Sequence, residues 1–492
     1  MSKCNNCGGD NVKNLGMRLI GKSQKFKFQC QDCGYTEMLT KYQTKSVHRY
    51  IISSIQNDTE VNEDFFKTLK SFAKLKDVEI MLLPTKYLGH LKTANWDDQY
   101  QNYIVNTERN IGNSIKVLGD LYLLASLENP ISGFDAVSKG RTVIVGHGQY
   151  QMKSLPTAVN SHPLMLTSTG SVTHPNVNSN TKVGKKAIFN HSYSALYISV
   201  LNEGMLDEEF HIRALMWDGE GFYDIDGYYV DNAVKKLKHI SALITGDEHI
   251  IEIDPIAAKS VYGKNGIVEK LNPEFIIRHD VLSSNAISHH NNGLIVKQNL
   301  MNAANEDDLQ KELDITCKFI VDTTPKYLTS YIVASNHHDH LDLWLQNVDS
   351  NLDKKNAKLY HWFLYKKLSD DSYYKTAFET YFRFKYPNVN NVEFLDRDNP
   401  VLIHDIEVHH HGDLSHSGGR DGKNYFPKHT HKVVHGHYHS PSVNKGSYAV
   451  GTMSKFKLSY TSGLTSWMHS NVIIYPNGKR QHVNIINGRW FV

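Results

Sequence analysis

A chain of 492 residues, 40% apolar and 21% charged, has room for roughly two to four domains and ample material for a core. A net charge of +3 excludes a whole-surface polyanion trap, so any nucleic-acid contact must come from local patches. No apolar run approaches the ~20 residues of a membrane span. Met1-Ser2-Lys3-Cys4 lacks the apolar segment of a secretory signal, so a cytoplasmic protein without a membrane segment is expected.

The first element in chain order is a zinc ribbon, expected over residues 1–45. Cys4-Asn5-Asn6-Cys7 and Cys30-Gln31-Asp32-Cys33 are two Cys-x-x-Cys knuckles that can present four thiolates tetrahedrally to one structural zinc. Val12 to Phe28 reads as two short strands, and Gly34 suits a tight turn after the second knuckle. Disulfides would require an oxidising compartment that this N-terminus does not indicate. Residues 1–50 carry nine basic and three acidic side chains, with Lys22, Lys25 and Lys27 interleaved with Phe26 and Phe28. That alternation suits a phosphate backbone, a solvated lysine face or a protein-docking module equally.

Residues 46–230 read as an α/β, strand-rich domain. Tyr50 to Ile55 is a strand, Thr59 a helix N-cap, Phe65 to Ala73 an amphipathic helix, and Val78 to Leu83 the next strand. Arg141 to Val145, Leu164 to Thr169, Ala187 to Val200 and Phe210 to Trp217 read as further strands. Gly146-His147-Gly148, Lys182 to Lys186 and Asn190-His191-Ser192-Tyr193 could line a groove for a phosphodiester chain, although turn chemistry and solvated lysines explain each of them as well. No internal repeat is visible. Cys317, within an apolar run, reads as a buried position and not a nucleophile.

Residues 231–492 carry the chemistry. Asp247-Glu248-His249, Asp280, Asn336-His337, the cluster His409 to His411 and Gly436-His437-Tyr438-His439 supply nitrogen and oxygen ligands suited to divalent metals. Four short apolar runs read as strands that precede these groups: Ile240 to Thr245, Phe275 to Ile277, Tyr331 to Ala334 and Lys432 to Val434. Open α/β sheets gather their chemistry beyond strand ends, so the candidates should converge. Ser447 to Gly451, Phe456 to Tyr460, Asn471 to Tyr475 and Gln481 to Ile486 read as closing strands, with a hairpin turn at Pro476-Asn477-Gly478. Gly418 to Lys423 reads as a flexible basic loop in which Arg420 could clamp a phosphate.

The ordered set resembles the calcineurin-like metallophosphoesterases, whose pattern is Asp-x-His, Gly-Asp, Gly-Asn-His-Asp/Glu, His and Gly-His-x-His. The resemblance implies a β-sandwich flanked by helices, from about residue 236 to the C-terminus. It implies two divalent metals, manganese first, with iron, zinc or nickel as alternatives. Asp247, His249 and His439 would hold one metal, Asn336, His411 and His437 the other, and Asp280 would bridge them. His337 would be the catalytic acid or would steady the phosphoryl oxygens. Three departures are visible: His279 stands where the family has glycine, the segment after Asp280 is shortened, and His338 intervenes before Asp339. Hence His338 is an alternative to His337, as His409 and His410 are to His411. Ser161 to Pro175 and Gly451 to Lys455 are similar to segments of phosphoesterase-type proteins of large tailed bacteriophages, a group that includes DNA-transfer proteins linked to host DNA breakdown.

Together these features imply a dimetal phosphodiesterase acting on DNA by a metal-bridged hydroxide, working in a host cytoplasm. Host or phage proteins are possible partners of the ribbon, and a homo-oligomer is expected. The alternatives are a phosphatase or phosphodiesterase of nucleotides or phosphoproteins, and a zinc-ribbon adaptor without catalysis.

Overall fold

The short apolar runs assemble into a mixed α/β architecture of several sheets. The computed structural model describes residues 12–20, 23–34, 36–39, 46–86, 96–159, 161–205, 207–288, 294–348, 353–369, 373–420, 422–429, 432–458, 461 and 463–491. Near the N-terminus, Val12–Ile20, Ser23–Cys30 and Thr36–Leu39 form an antiparallel sheet, with Arg18 opposite Lys25 and Met17 opposite Phe26.

In the C-terminal part, one sheet runs in the order Val392–Leu395, Thr329–Val333, Phe275–Arg278, Ala242–Ile244, Ser470–Ile474, Arg480–Asn484. The first four strands are parallel, and the last two form an antiparallel hairpin closed by Gly478 at φ +76°. Ala242–Ile244 is fully buried, which is why it reads as a continuous apolar run and does not alternate. Helices Leu309–Asp322, Asn336–Asn347, Ala357–Ser369 and Ala377–Lys385 build a layer around Leu313, Cys317, Phe363, Phe378 and Phe382.

A second sheet crosses the expected boundary at residue 230. Its described strands run Leu402–Ile403, Ile406–Glu407, Val433–His435, Ser447–Ala449, Ser442–Asn444, then Met152–Leu155, Leu164–Ser168, Thr142–Val145, Ile115–Leu118, Glu108–Ile111. The order is palindromic. On each side of the seam the pairings read antiparallel, parallel, parallel, antiparallel from the outer edge inward. At the centre, Val443 pairs with Met152 in an antiparallel register, so a local two-fold axis passes beside that pair.

A four-stranded sheet completes the repeat. Glu79–Thr85, Val47–Gln56, Ser194–Leu201 and Glu209–Met216 pair parallel, antiparallel, antiparallel, as do Phe275–Arg278, Ala242–Ile244, Ser470–Ile474 and Arg480–Asn484. Even single hydrogen bonds recur. Asp247 N donates to Gly451 O and Met453 N to Asp247 O; Ser54 N donates to Gly170 O and Val172 N to Ser54 O. Thr452 Oγ1 reaches Asp247 O at 2.9 Å and Ser454 Oγ at 2.8 Å, and Ser171 Oγ reaches Ser54 O at 3.0 Å and Thr173 Oγ1 at 2.8 Å. The expectation of no internal repeat is therefore corrected: two copies of one pairing scheme share a sheet and a core in which Ile198 and Ile212 join Val443 and Val472. The backbone scheme and these hydroxyl pairs persist, while Asp247 in one copy is matched by Ser54 in the other.

Three local expectations also change. The helix Glu63–Lys76 is capped by Asn62, whose side chain accepts from Phe65 N, and not by Thr59. The run from Ala187 to Val200 splits into a helix, Lys182–Phe189, capped by Thr181, and a strand, Ser194–Leu201. No strand forms over residues 456–458, while 459 and 460 lie outside the described residues.

Candidate metal centre

Each candidate ligand follows a strand whose end delivers it. Asp247 and His249 follow Ala242–Ile244, Asp280 follows Phe275–Arg278, Asn336 and His337 open the helix after Thr329–Val333, His411 follows Ile406–Glu407, and His437 and His439 follow Val433–His435. The turns are sharp: His249, Asp280, His437 and His439 have φ of 42°, 46°, 77° and 56°. Such values are uncommon for residues with a Cβ, and they gather at functional sites. Backbone bonds tie the loops together, with His249 N donating to Asp280 O and Gly436 N to His411 O. Gly436 is required by space, because a Cβ there would lie 2.2 Å from Asp247 Oδ1.

The side chains converge. His439 Nε2 lies 3.2 Å from Asp247 Oδ2 and 3.1 Å from His249 Nε2. Asp280 Oδ2 stands between His249 and His411, at 3.7 Å and 3.1 Å from their Nε2 atoms, as a bridging carboxylate would. The ring of His437 is 5.3 Å from that of His411. Two buried ligand groups result, His249 with Asp280 and His439, and Asp247 with His279 and His411. His279, which sequence reasoning treated only as a departure from glycine, lies 3.4 Å from His411 Nδ1 through its own Nδ1. The signal was present as a side chain where the family pattern has none.

The donor set fits a cation. Asp247 Oδ1, Asp280 Oδ1, Asn336 Oδ1, His279 Nε2 and His439 Nδ1 are buried without a hydrogen-bond partner among the described residues. Polar atoms left bare in this way are costly unless a bound group satisfies them. Burial pushes His249 down to about 3 and His279 to about 4, so both rings are neutral and offer lone pairs. Burial also opposes charge on His411, but Asp280, Asp247 and Asp413 outweigh it and push this imidazole up to about 9. A proton on His411 thus balances the two carboxylates, and an entering cation would take over that role.

His337 Nδ1 donates to Ser283 O at 2.7 Å, its ring lies 4.8 Å from that of His249, and Ser284 Oγ donates to His337 O. The loop bearing Ser283 and Ser284 is pinned by Glu312, whose carboxylate accepts from Asn285 N and Ala286 N. His338 turns the other way, with its ring 5.1 Å from that of Phe378 and Leu282 N donating to its Nε2. His409 and His410 form a separate group with Glu407. Behind the centre, fully buried Glu248 accepts from Tyr262 and Thr245 and lies 3.5 Å from Arg278 Nη1, while Arg278 Nη2 donates to Thr323.

In the N-terminal sheet, Cys30 is buried at the end of its strand, and Gly34, at φ +74°, donates its N–H to Cys30 O. Cys33 is exposed, and Cys4 and Cys7 lie outside the described residues. Cys317 sits in the helical layer, where burial pushes its thiol well up. No helix among the described residues is long and apolar enough to cross a membrane. Gly422–His429 forms a helix beyond the exposed Arg420.

The chain is similar to Protein A1 of Escherichia phage T5, with 26% identity over 475 residues that cover 92% of this chain and 84% of that protein. No family model and no solved structure matches. The resemblance to a phage protein extends along nearly the whole chain, including both copies of the pairing scheme.

Proposed function

We propose that the protein is a metal-dependent phosphodiesterase of phage origin that cleaves DNA, active in the host cytoplasm. The observation that carries this reading is the gathering of Asp247 with His279 and His411, and of His249 with Asp280 and His439, into two adjoining buried groups in which Asp247 Oδ1 and Asp280 Oδ1 have no hydrogen-bond partner among the described residues. When bound, a pair of divalent cations would supply an activated water and neutralise charge on the phosphoryl oxygens. Asp247, His249 and His439 would hold one cation, Asn336, His411 and His437 the other, and Asp280 both, with His279 beside the second set. His337, whose Nδ1 proton is committed to Ser283 O, has Nε2 available to hold the proton that the leaving oxygen needs. The N-terminal ribbon, with nine basic against three acidic residues in the first 50, supports a nucleic-acid substrate, and Cys4, Cys7, Cys30 and Cys33 would hold its zinc.

The test is incubation with manganese and duplex DNA, single-stranded DNA, RNA or a small aryl phosphodiester across a salt series, with Asp280→Asn as the control for contaminating nuclease. DNA cleavage should require metal and weaken as salt rises, because binding through phosphates releases counterions. Aryl-diester hydrolysis without DNA cleavage at any salt would move the assignment to nucleotides or another small substrate. No hydrolysis of either would leave an adaptor.

A further inference from the structure

The repeated pairing scheme lets the candidate centre be mapped onto the N-terminal copy. Val433–His435 beside Ser447–Ala449 matches Thr142–Val145 beside Leu164–Ser168, with His435 opposite Ala449 and Val145 opposite Ser168. Gly436-His437-Tyr438-His439 therefore falls on Gly146-His147-Gly148-Gln149. The parallel bridges Asp247 to Thr452 and Ser54 to Ser171 place Ser54 at the position of Asp247 and Gln56 at that of His249. Ile244 opposite Ile277 and Ile51 opposite Ile80 carry Asp280 onto Leu83. At these positions Asp247, His249, Asp280 and His439 give way to Ser54, Gln56, Leu83 and Gln149. His147, the survivor, is satisfied by backbone, since its Nε2 faces Leu124 O at 3.1 Å and its Nδ1 accepts from Gln149 N. Gln149 ties its amide to Leu127 O.

A second cleft opens beside Gln149, at the edge of the mapped positions. Its cavity of about 260 Å³ is lined by Gln149, the one mapped residue it includes, together with Lys182, Lys186 and Asn190 from the helix Lys182–Phe189 and its C-cap. Glu128, also in the lining, accepts from Lys445 at 2.6 Å and Lys186 at 3.2 Å, which neutralises its charge. Lys182, exposed on the same rim, adds a further positive charge. Lysine ammonium groups are point-charge partners for phosphate that need no metal.

We propose that this second cleft is a metal-independent binding site for a phosphoryl group, either on a nucleic-acid strand or on a free nucleotide. Its choice of ligand rests on the phosphodiester reading of the first centre. One copy of the scheme would cut while the other holds.

The probes are a fluorescent single-stranded oligonucleotide and adenosine monophosphate, measured on Asp280→Asn protein in chelator, so that neither cleavage nor metal contributes. Lys182→Glu, on an exposed position, and the pair Lys182→Ala with Lys186→Ala are compared with the parent, thermal midpoints serving as the check on folding. Loss of about tenfold or more in oligonucleotide affinity in both variants, with a smaller salt slope, supports a strand site. An equal loss for the mononucleotide supports a nucleotide site. Unchanged affinity for both probes in folded variants overturns the proposal, whatever the unmodified protein does with manganese. Metal-dependent cleavage by the unmodified protein, scored separately, tests the first centre alone.

Discussion

Asp280 touches both sides of the candidate centre, so its loss should be felt by both. Asp280→Asn is expected to lower metal content at the centre and abolish turnover, read by elemental analysis beside the hydrolysis assay. His337→Ala should keep its metal and lose about a hundredfold or more in rate, the range for a positioned proton donor. His338→Ala, which removes a ring packed on Phe378, should instead act through stability, with turnover per folded molecule near that of the parent. A rate loss confined to His338→Ala would reverse the two roles. At this scale the sequence is informative because ligands placed just after strands have fixed order and spacing. His279 escapes such reading because nothing in its neighbours reveals that its strand end turns inward beside His411.

At the scale of elements, Glu248 and Arg278 lock the strand-end loop of Asp247 and His249 to the strand that delivers Asp280. Both side chains are fully buried, and removing one partner strands the other charge. Arg278→Ala should cost about 3–5 kcal/mol in urea unfolding, the range for breaking a buried pair. A cost below about 1 kcal/mol would show that the pair is not a structural lock. In the N-terminal sheet, Cys30→Ser with Cys33→Ser should release one zinc per chain while the metals of the main centre stay, because Cys30 ends a strand of a sheet that carries none of the main centre's candidate ligands. Unchanged zinc in that double variant would sink the ribbon assignment. Strands buried on both faces and the Pro476-Asn477-Gly478 hairpin were legible from apolar runs and turn chemistry. The helix Lys182–Phe189 was not, since Ala187-Ile188-Phe189 continues toward the β-rich Ser194–Leu201 and the break rests on the Thr181 cap.

For the whole molecule, the two-fold scheme is faint in sequence because it resides chiefly in backbone pairing, with Gly146 and His147 keeping the residue types of Gly436 and His437. The same scheme leaves histidines deep in the packed layers away from the main centre. Burial pushes His147, His162 and His482 each down to about 4, so in the folded protein they are neutral at pH 6. The unfolded chain takes up protons near 6.5. Their contribution to stability is therefore complete above about pH 6.5 and is lost as pH falls toward 4, at roughly 1.4 kcal/mol per unit of displacement for each group. Glu312, pushed by burial to about 7, has the opposite sign and weakens the fold as pH rises from 4.5 to 7, so the total slope mixes both. Substitution separates them. His482 donates from Nε2 to Ala449 O, and Gln can replace that bond without taking up a proton. His482→Gln should thus lose less stability than the parent between pH 6.5 and 4.5, measured by urea unfolding of chelator-treated protein. Parallel losses in the two proteins would mean that His482 charges in the folded state with little cost, and that acid sensitivity arises elsewhere.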